Sequence, residues 1–129
     1  MQYEKLISWK PMEGIPVTLY LRELKYDAKG LTLSLAEGDN APILSIFFNG
    51  DLSHRIADEG DLLKIVSEAE RDEEARGPLF IVENSHYLEW FHDQSCNIRQ
   101  KDNLVHYRIV TPNEIVDVLD LSTPQVKWS

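Results

Sequence analysis

The sequence predicts an α+β domain, a mostly antiparallel sheet of six to seven strands with two helices, in the order ββββαβαββ. Three observations carry that expectation. Apolar and polar residues alternate in short runs through the first half of the chain, the period of a strand with one buried face. Clusters of Gly, Asn and Asp separate the runs by only a few residues, and short connections of this kind join neighbouring strands antiparallel. Two later stretches, one after Asp58 and one after Ser85, change to helical spacing, so the helices should cover one face of the sheet. With 129 residues the chain suits one domain, residues 1–129, able to bury roughly two thirds of its unfolded surface without a disulfide or a metal.

Val17, Leu19 and Leu21 alternate with Thr18, Tyr20 and Arg22 and predict the first strand. Asp27 to Gly30 forms a turn, since Gly accepts positive φ, and Leu31, Leu33 and Leu35 resume the alternation as the second arm of a hairpin. A turn at Gly38 to Asn40 leads to Ile43–Phe48, dense enough in apolar residues for a central strand. The signal at Asn49, Gly50 and Asp51 returns the chain as a fourth strand over Leu52–Ile56. Leu62, Leu63, Val66 and Ala69 then fall at helical spacing behind acids suited to a helix N-terminus, predicting a helix from about Asp61 to Ala75 that stops at Gly77 and Pro78. Leu79–Glu83 is a short strand. Asn84 and Ser85 can cap a second helix running to about Ser95, with Tyr87, Leu88 and Phe91 on its apolar face. Leu104–Val110 is a strand. Thr111 to Glu114 admits two readings: a turn, with Pro112 and Asn113 at its centre, into a strand over Ile115–Leu121, or a helix start with a Thr111/Glu114 capping box. The β-branched Ile115, Val116 and Val118 favour the hairpin.

The charge balance is acidic, with 22 Asp and Glu against 13 Lys and Arg and a formal net charge of -9. Affinity for nucleic acid comes largely from cations neutralising phosphates, so the balance argues against that partner and for a basic one. A single cysteine, Cys96, cannot build an intramolecular disulfide framework, and the first residues carry no apolar run of signal-peptide length. The expected compartment is the cytoplasm. No stretch of 18 apolar residues exists to span a membrane, and no cofactor or metal is expected.

The acidity is concentrated. Between Asp58 and Arg76 stand Asp58, Glu59, Asp61, Glu68, Glu70, Asp72, Glu73 and Glu74, against Lys64, Arg71 and Arg76, which accounts for five of the nine net negative charges. Such a stretch is either a solvated helix face or the countercharge of a basic partner. Trp90 lies off the apolar face of the second helix, between Glu89 and Asp93, and has the composition of an interface anchor. Trp9 and Trp128, near the two ends, could seal sheet edges. His92 and Cys96 sit four residues apart beside Asp93, but two ligands are too few for a native metal site, and a buried apolar role suits the Cys. Cys96 with His106 or His92 would supply a thiol and a base, yet no phosphate loop or nucleophile elbow accompanies them and the acidic surroundings raise a thiol pKa. His54, beside Arg55, reads as a strand-end surface residue rather than an acid/base group.

The strings His86–Ser95 (HYLEWFHDQS) and His106–Leu119 (HYRIVTPNEIVDVL), and more loosely Ser53–Gly60, resemble small bacterial proteins of the immunity type. Proteins of that class are encoded beside polymorphic or contact-dependent toxins and bind the toxin domain to block it. The resemblance implies a non-catalytic partner of a protein toxin and carries over neither catalytic nor contact residues. The sequence thus points to a protein-binding module for a basic toxin domain such as a nuclease, with a binding face over Asp58 to Glu74 and Trp90. The alternative is a small-ligand-binding or regulatory domain with a pocket at Tyr87, Trp90 or His106.

Overall fold

The computed structural model describes residues 3–58 and 77–129. Among these residues nine strands form: β1 (Lys5–Ser8), β2 (Tyr20–Asp27), β3 (Gly30–Ala36), β4 (Leu44–Phe48), β5 (Asp51–Asp58), β6 (Leu79–Glu83), β7 (Val105–Val110), β8 (Glu114–Asp120) and β9 (Gln125–Trp128). One helix, α1 (His86–Gln94), lies between β6 and β7. The strands make two sheets, one of five in the order β1-β6-β7-β8-β5 and one of four in the order β2-β3-β4-β9. Every pairing is antiparallel.

The two-sheet architecture corrects the expected single sheet of six to seven strands with two helices. The expected helix over Asp61–Ala75 lies outside the described residues. Two strands escaped the pattern reading because β1 and β9 have four residues each and mix Lys and Gln with their apolar positions, too short a run for alternation to register. The Asn49–Gly50 turn has a different outcome from the one its residues suggest. It does not fold β5 back on β4; it hands the chain from the four-stranded sheet to the edge of the other, where β5 pairs with β8. The first strand is also later than expected, starting at Tyr20 with Val17 76% exposed, although the Asp27–Gly30 turn stands where the sequence places it.

The sheets face each other across a shared apolar layer. Period-two alternation puts Leu31, Leu33 and Leu35 of β3 and Leu44, Ile46 and Phe48 of β4 on one side of it. Leu79, Tyr107, Ile109, Val116 and Val118 meet them from the five-stranded sheet. All of the β3 and β4 members are fully buried, each stabilising the fold by roughly 1.5–3 kcal/mol relative to exposure. The β2–β3 turn depends on Gly30, whose φ is +137° and where a Cβ would collide with the backbone carbonyl of Phe48.

The other face of the five-stranded sheet is also buried along its centre. His106 and Arg108 of β7 and Ile115, Asp117 and Leu119 of β8 are each 2% exposed or less. α1 lies against this outer face, with Tyr87 buried and its ring edge-on to His106. Thr111 to Glu114 is the β7–β8 hairpin turn: Thr111 Oγ1 accepts the Glu114 amide at 2.9 Å, and the Thr111 amide donates to the Glu114 carbonyl. No helix among the described residues is long and apolar enough to cross a membrane.

Candidate protein-binding site

Three adjacent strands and the start of α1 build a buried polar brace. Arg55 of β5 and Arg108 of β7 both stand directly opposite Asp117 of β8 in the strand register. Asp117 therefore receives a donor from either side, Arg108 Nε at 2.7 Å on Oδ1 and Arg55 Nε at 2.9 Å on Oδ2. His106 Nε2 adds a third bond to Oδ1 at 2.6 Å. Burial pushes the Asp117 carboxyl up, but the His106 hydrogen bond and the two guanidinium charges outweigh it and hold the group well below the usual carboxylate range. Burial also lowers the pKa of His106, so the ring stays neutral and its Nε2–H is the donor to Asp117.

The tautomer leaves His106 Nδ1 as an acceptor, filled by the Ser85 hydroxyl at 2.6 Å. Ser85 is the N-cap of α1 and its Oγ accepts the Leu88 amide at 2.9 Å. Arg108 reaches Glu4, whose other carboxylate oxygen accepts the His86 amide at 2.8 Å. The chain Ser85–His106–Asp117 has the residue types of a nucleophilic triad with the ring reversed: Ser is on Nδ1 and Asp on Nε2. Ser85 is 6% exposed, and its hydroxyl both caps the helix and bonds the imidazole. The arrangement ties α1 and β1 to the sheet.

Above the brace the molecule opens. Ser53, His54, Arg55, Tyr87 and Trp90 line a hollow of about 300 Å³ on the outer face of the sheet. The Arg55 guanidinium sits 4.1 Å from the centre of the Tyr87 ring, a cation–π contact. Trp90 stacks on the same ring with centroids 5.8 Å apart and planes 25° apart. The Tyr87 hydroxyl lies 2.5 Å from Ser53 Oγ, and burial pushes its pKa up. Trp90 is 53% exposed, and Glu89, Asp93 and Gln94 are exposed around it on the helix. The hollow thus joins a fixed aromatic and an anchored arginine to a carboxylate-bearing helix face.

Of the expected site residues, Trp90 is where the sequence places it, outside the core. Asp58 is exposed at the last position of β5, opposite Glu114, and period-two alternation aims it to the opposite face of the strand from Arg55. Glu59, Asp61, Glu68, Glu70, Asp72, Glu73 and Glu74 lie outside the described residues. Cys96 is exposed rather than buried, because it and Asn97 turn the chain out of α1 with φ of 51° and 60°. Both ring nitrogens of His106 are bonded to Ser85 and Asp117, so it is not paired with Cys96, and it lies beneath the hollow rather than lining it. Arg55, Arg108 and Asp117 are not among the expected site residues. Their signal was available: each is a charge inside a strand, and Arg108 and Asp117 interrupt apolar β-branched runs where a solvated face would be more polar throughout.

The chain matches no family model, no curated protein and no solved structure.

Proposed function

We propose that this chain is a non-catalytic protein-binding domain of the immunity type, which binds and neutralises a cognate basic toxin domain, such as a nuclease, in the cytoplasm. The observation that carries the reading is Trp90. It is a large aromatic held in place by its stack on Tyr87 yet half exposed, beside a hollow floored by Arg55 and flanked by Glu89 and Asp93. Trp, Tyr and Arg are the residues in which interface energy concentrates, and a pre-ordered aromatic loses little entropy on docking. The net charge of -9 suits a basic partner and raises the rate of encounter with it. The Ser85–His106–Asp117 chain supports a non-catalytic reading, because its serine is buried as a helix cap.

The test is to mix the purified chain with the C-terminal domain encoded by the adjacent open reading frame and measure complex formation and that domain's activity. A stable complex with loss of activity is expected; two separately eluting species with full activity contradict the reading. One observation favours a second reading, a small-ligand domain. A cavity of about 400 Å³, lined by Trp9, Met12, Ile15, Val17, Pro78 and Leu79 among others, has the size of a ligand site. A large rise in Tm with a metabolite in a thermal-shift screen would support it.

A further inference from the structure

At the end of the core remote from the Thr111–Glu114 turn, two carboxyl groups face each other across the β5–β8 ladder. Asp51 and Asp120 are directly paired, so their Cβ atoms are about 4.5–5.5 Å apart on the same face of the sheet. Both side chains are buried, Asp51 at 2% and Asp120 at 0% exposure. Each is satisfied at one oxygen. Asp51 Oδ2 accepts His54 Nδ1 at 3.0 Å, and Asp120 Oδ1 accepts the Ser122 amide at 3.3 Å and its hydroxyl at 3.4 Å. The remaining oxygens, Asp51 Oδ1 and Asp120 Oδ2, are two of only three buried side-chain polar atoms among the described residues that lack a hydrogen-bond partner.

Two ionised carboxylates opposed on one face repel, and each orphaned oxygen carries its own desolvation cost. Among the described residues no lysine or arginine pairs with either group. The titratable neighbours are His54 on the far oxygen of Asp51, Tyr107 of β7 and Tyr87 of α1, whose pKa the Asp51 charge also raises, while Tyr26 of β2 covers the His54 ring at 4.9 Å. Gly50 keeps the site closed, since a Cβ there would stand 2.8 Å from Asp120 Oδ1. One proton removes both deficits at once. We propose that Asp120 and Asp51 share a single proton in the folded protein, carried on Asp120 Oδ2 and donated to Asp51 Oδ1. Burial and the nearby Asp51 charge both raise the pKa of Asp120, against the opposing Ser122 bonds, and the Asp120 charge adds to burial in raising that of Tyr107. The proposal is independent of the partner-binding reading.

A folded-state pKa above the unfolded one gives stability that is full at low pH and lost as pH rises through the folded value. The pair therefore weakens the join between β5 and β8 on the alkaline side. The experiment follows the aspartate carboxyl carbons of the full chain by NMR from about pH 3 to about pH 9, alongside Tm for the wild type and Asp120→Asn. Asparagine keeps the Ser122 acceptor and supplies a permanent N–H toward Asp51. The expected result is a carboxyl carbon at Asp120 that titrates above the ordinary aspartate range and moves back down in Asp51→Asn. Wild-type Tm should fall relative to Asp120→Asn as pH rises. Titration of Asp120 in the ordinary range overturns the proposal. So does a Ca²⁺- or Mg²⁺-induced rise in Tm at neutral pH that Asp120→Asn abolishes, which makes the pair a cation site instead.

Discussion

Replacing Asp117 by Asn would leave the buried Arg108, and the half-exposed Arg55 on the other side, facing a neutral amide. Removing the carboxylate from a buried pair costs about 3–5 kcal/mol, because the buried Arg108 charge cannot be resolvated, and urea unfolding of Asp117→Asn should show a loss of that order. The pH dependence has a definite sign. His106 has a lowered pKa in the fold, so below the unfolded value of 6.5 the unfolded chain takes up a proton that the folded chain refuses. Stability falls with pH from there, and falls again below 3.8, where the unfolded Asp117 would protonate and the folded one resists. Asp120 works in the opposite direction. In a His106→Asn variant the loss of stability just below pH 6.5 should vanish while the acid limb remains; an unchanged slope would mean that His106 is not held neutral. These residues were visible in the sequence as charges within apolar strands, but which arginine meets which aspartate is set by strand register, which a single sequence does not reveal.

The elements were legible in proportion to their length and to the chemistry of their ends. α1 was readable from Ser85 and the Tyr87/Leu88/Phe91 face, and β7 with β8 from their β-branched runs and the Thr111–Glu114 turn. β1 and β9 were not, and neither was the change of sheet at Asn49–Gly50, since local turn residues say that the chain reverses but not which sheet receives it. Ser85 links the scales. Ser85→Ala removes a cap worth about 0.5–2 kcal/mol and also strips His106 Nδ1 of its donor, a further cost of roughly 1–3 kcal/mol. Chemical denaturation should therefore show a loss beyond that of an ordinary cap, and a loss confined to the cap's range would mean that the Ser85–His106 bond contributes nothing. Gly30→Ala should cost on the order of 1–3 kcal/mol, because its φ of +137° and the Phe48 carbonyl both exclude a side chain. A neutral substitution there would contradict the turn geometry.

Among the described residues two sheets enclose a shared apolar layer, with a polar interior beneath α1. Burying both faces of β7 and β8 fixes the outer face of the five-stranded sheet, and that rigidity is what holds Tyr87, Arg55 and Trp90 in a preset arrangement. Truncating the shared layer, as in Phe48→Ala, should cost about 3–5 kcal/mol. Truncating Trp90, half exposed, should leave folding nearly unchanged while removing the anchor. Charge acts at this scale too: reversal of Glu70, Asp72, Glu73 and Glu74 to Lys should slow association with a basic partner most at low salt, where screening is weakest. The most direct test of the binding account is isothermal titration calorimetry of the wild type and Trp90→Ala against the same toxin domain, with Tm recorded for both. The account predicts an unchanged Tm and a Kd weakened by roughly 30-fold or more, the loss of a hot-spot residue. An unchanged Kd with an intact fold would contradict it.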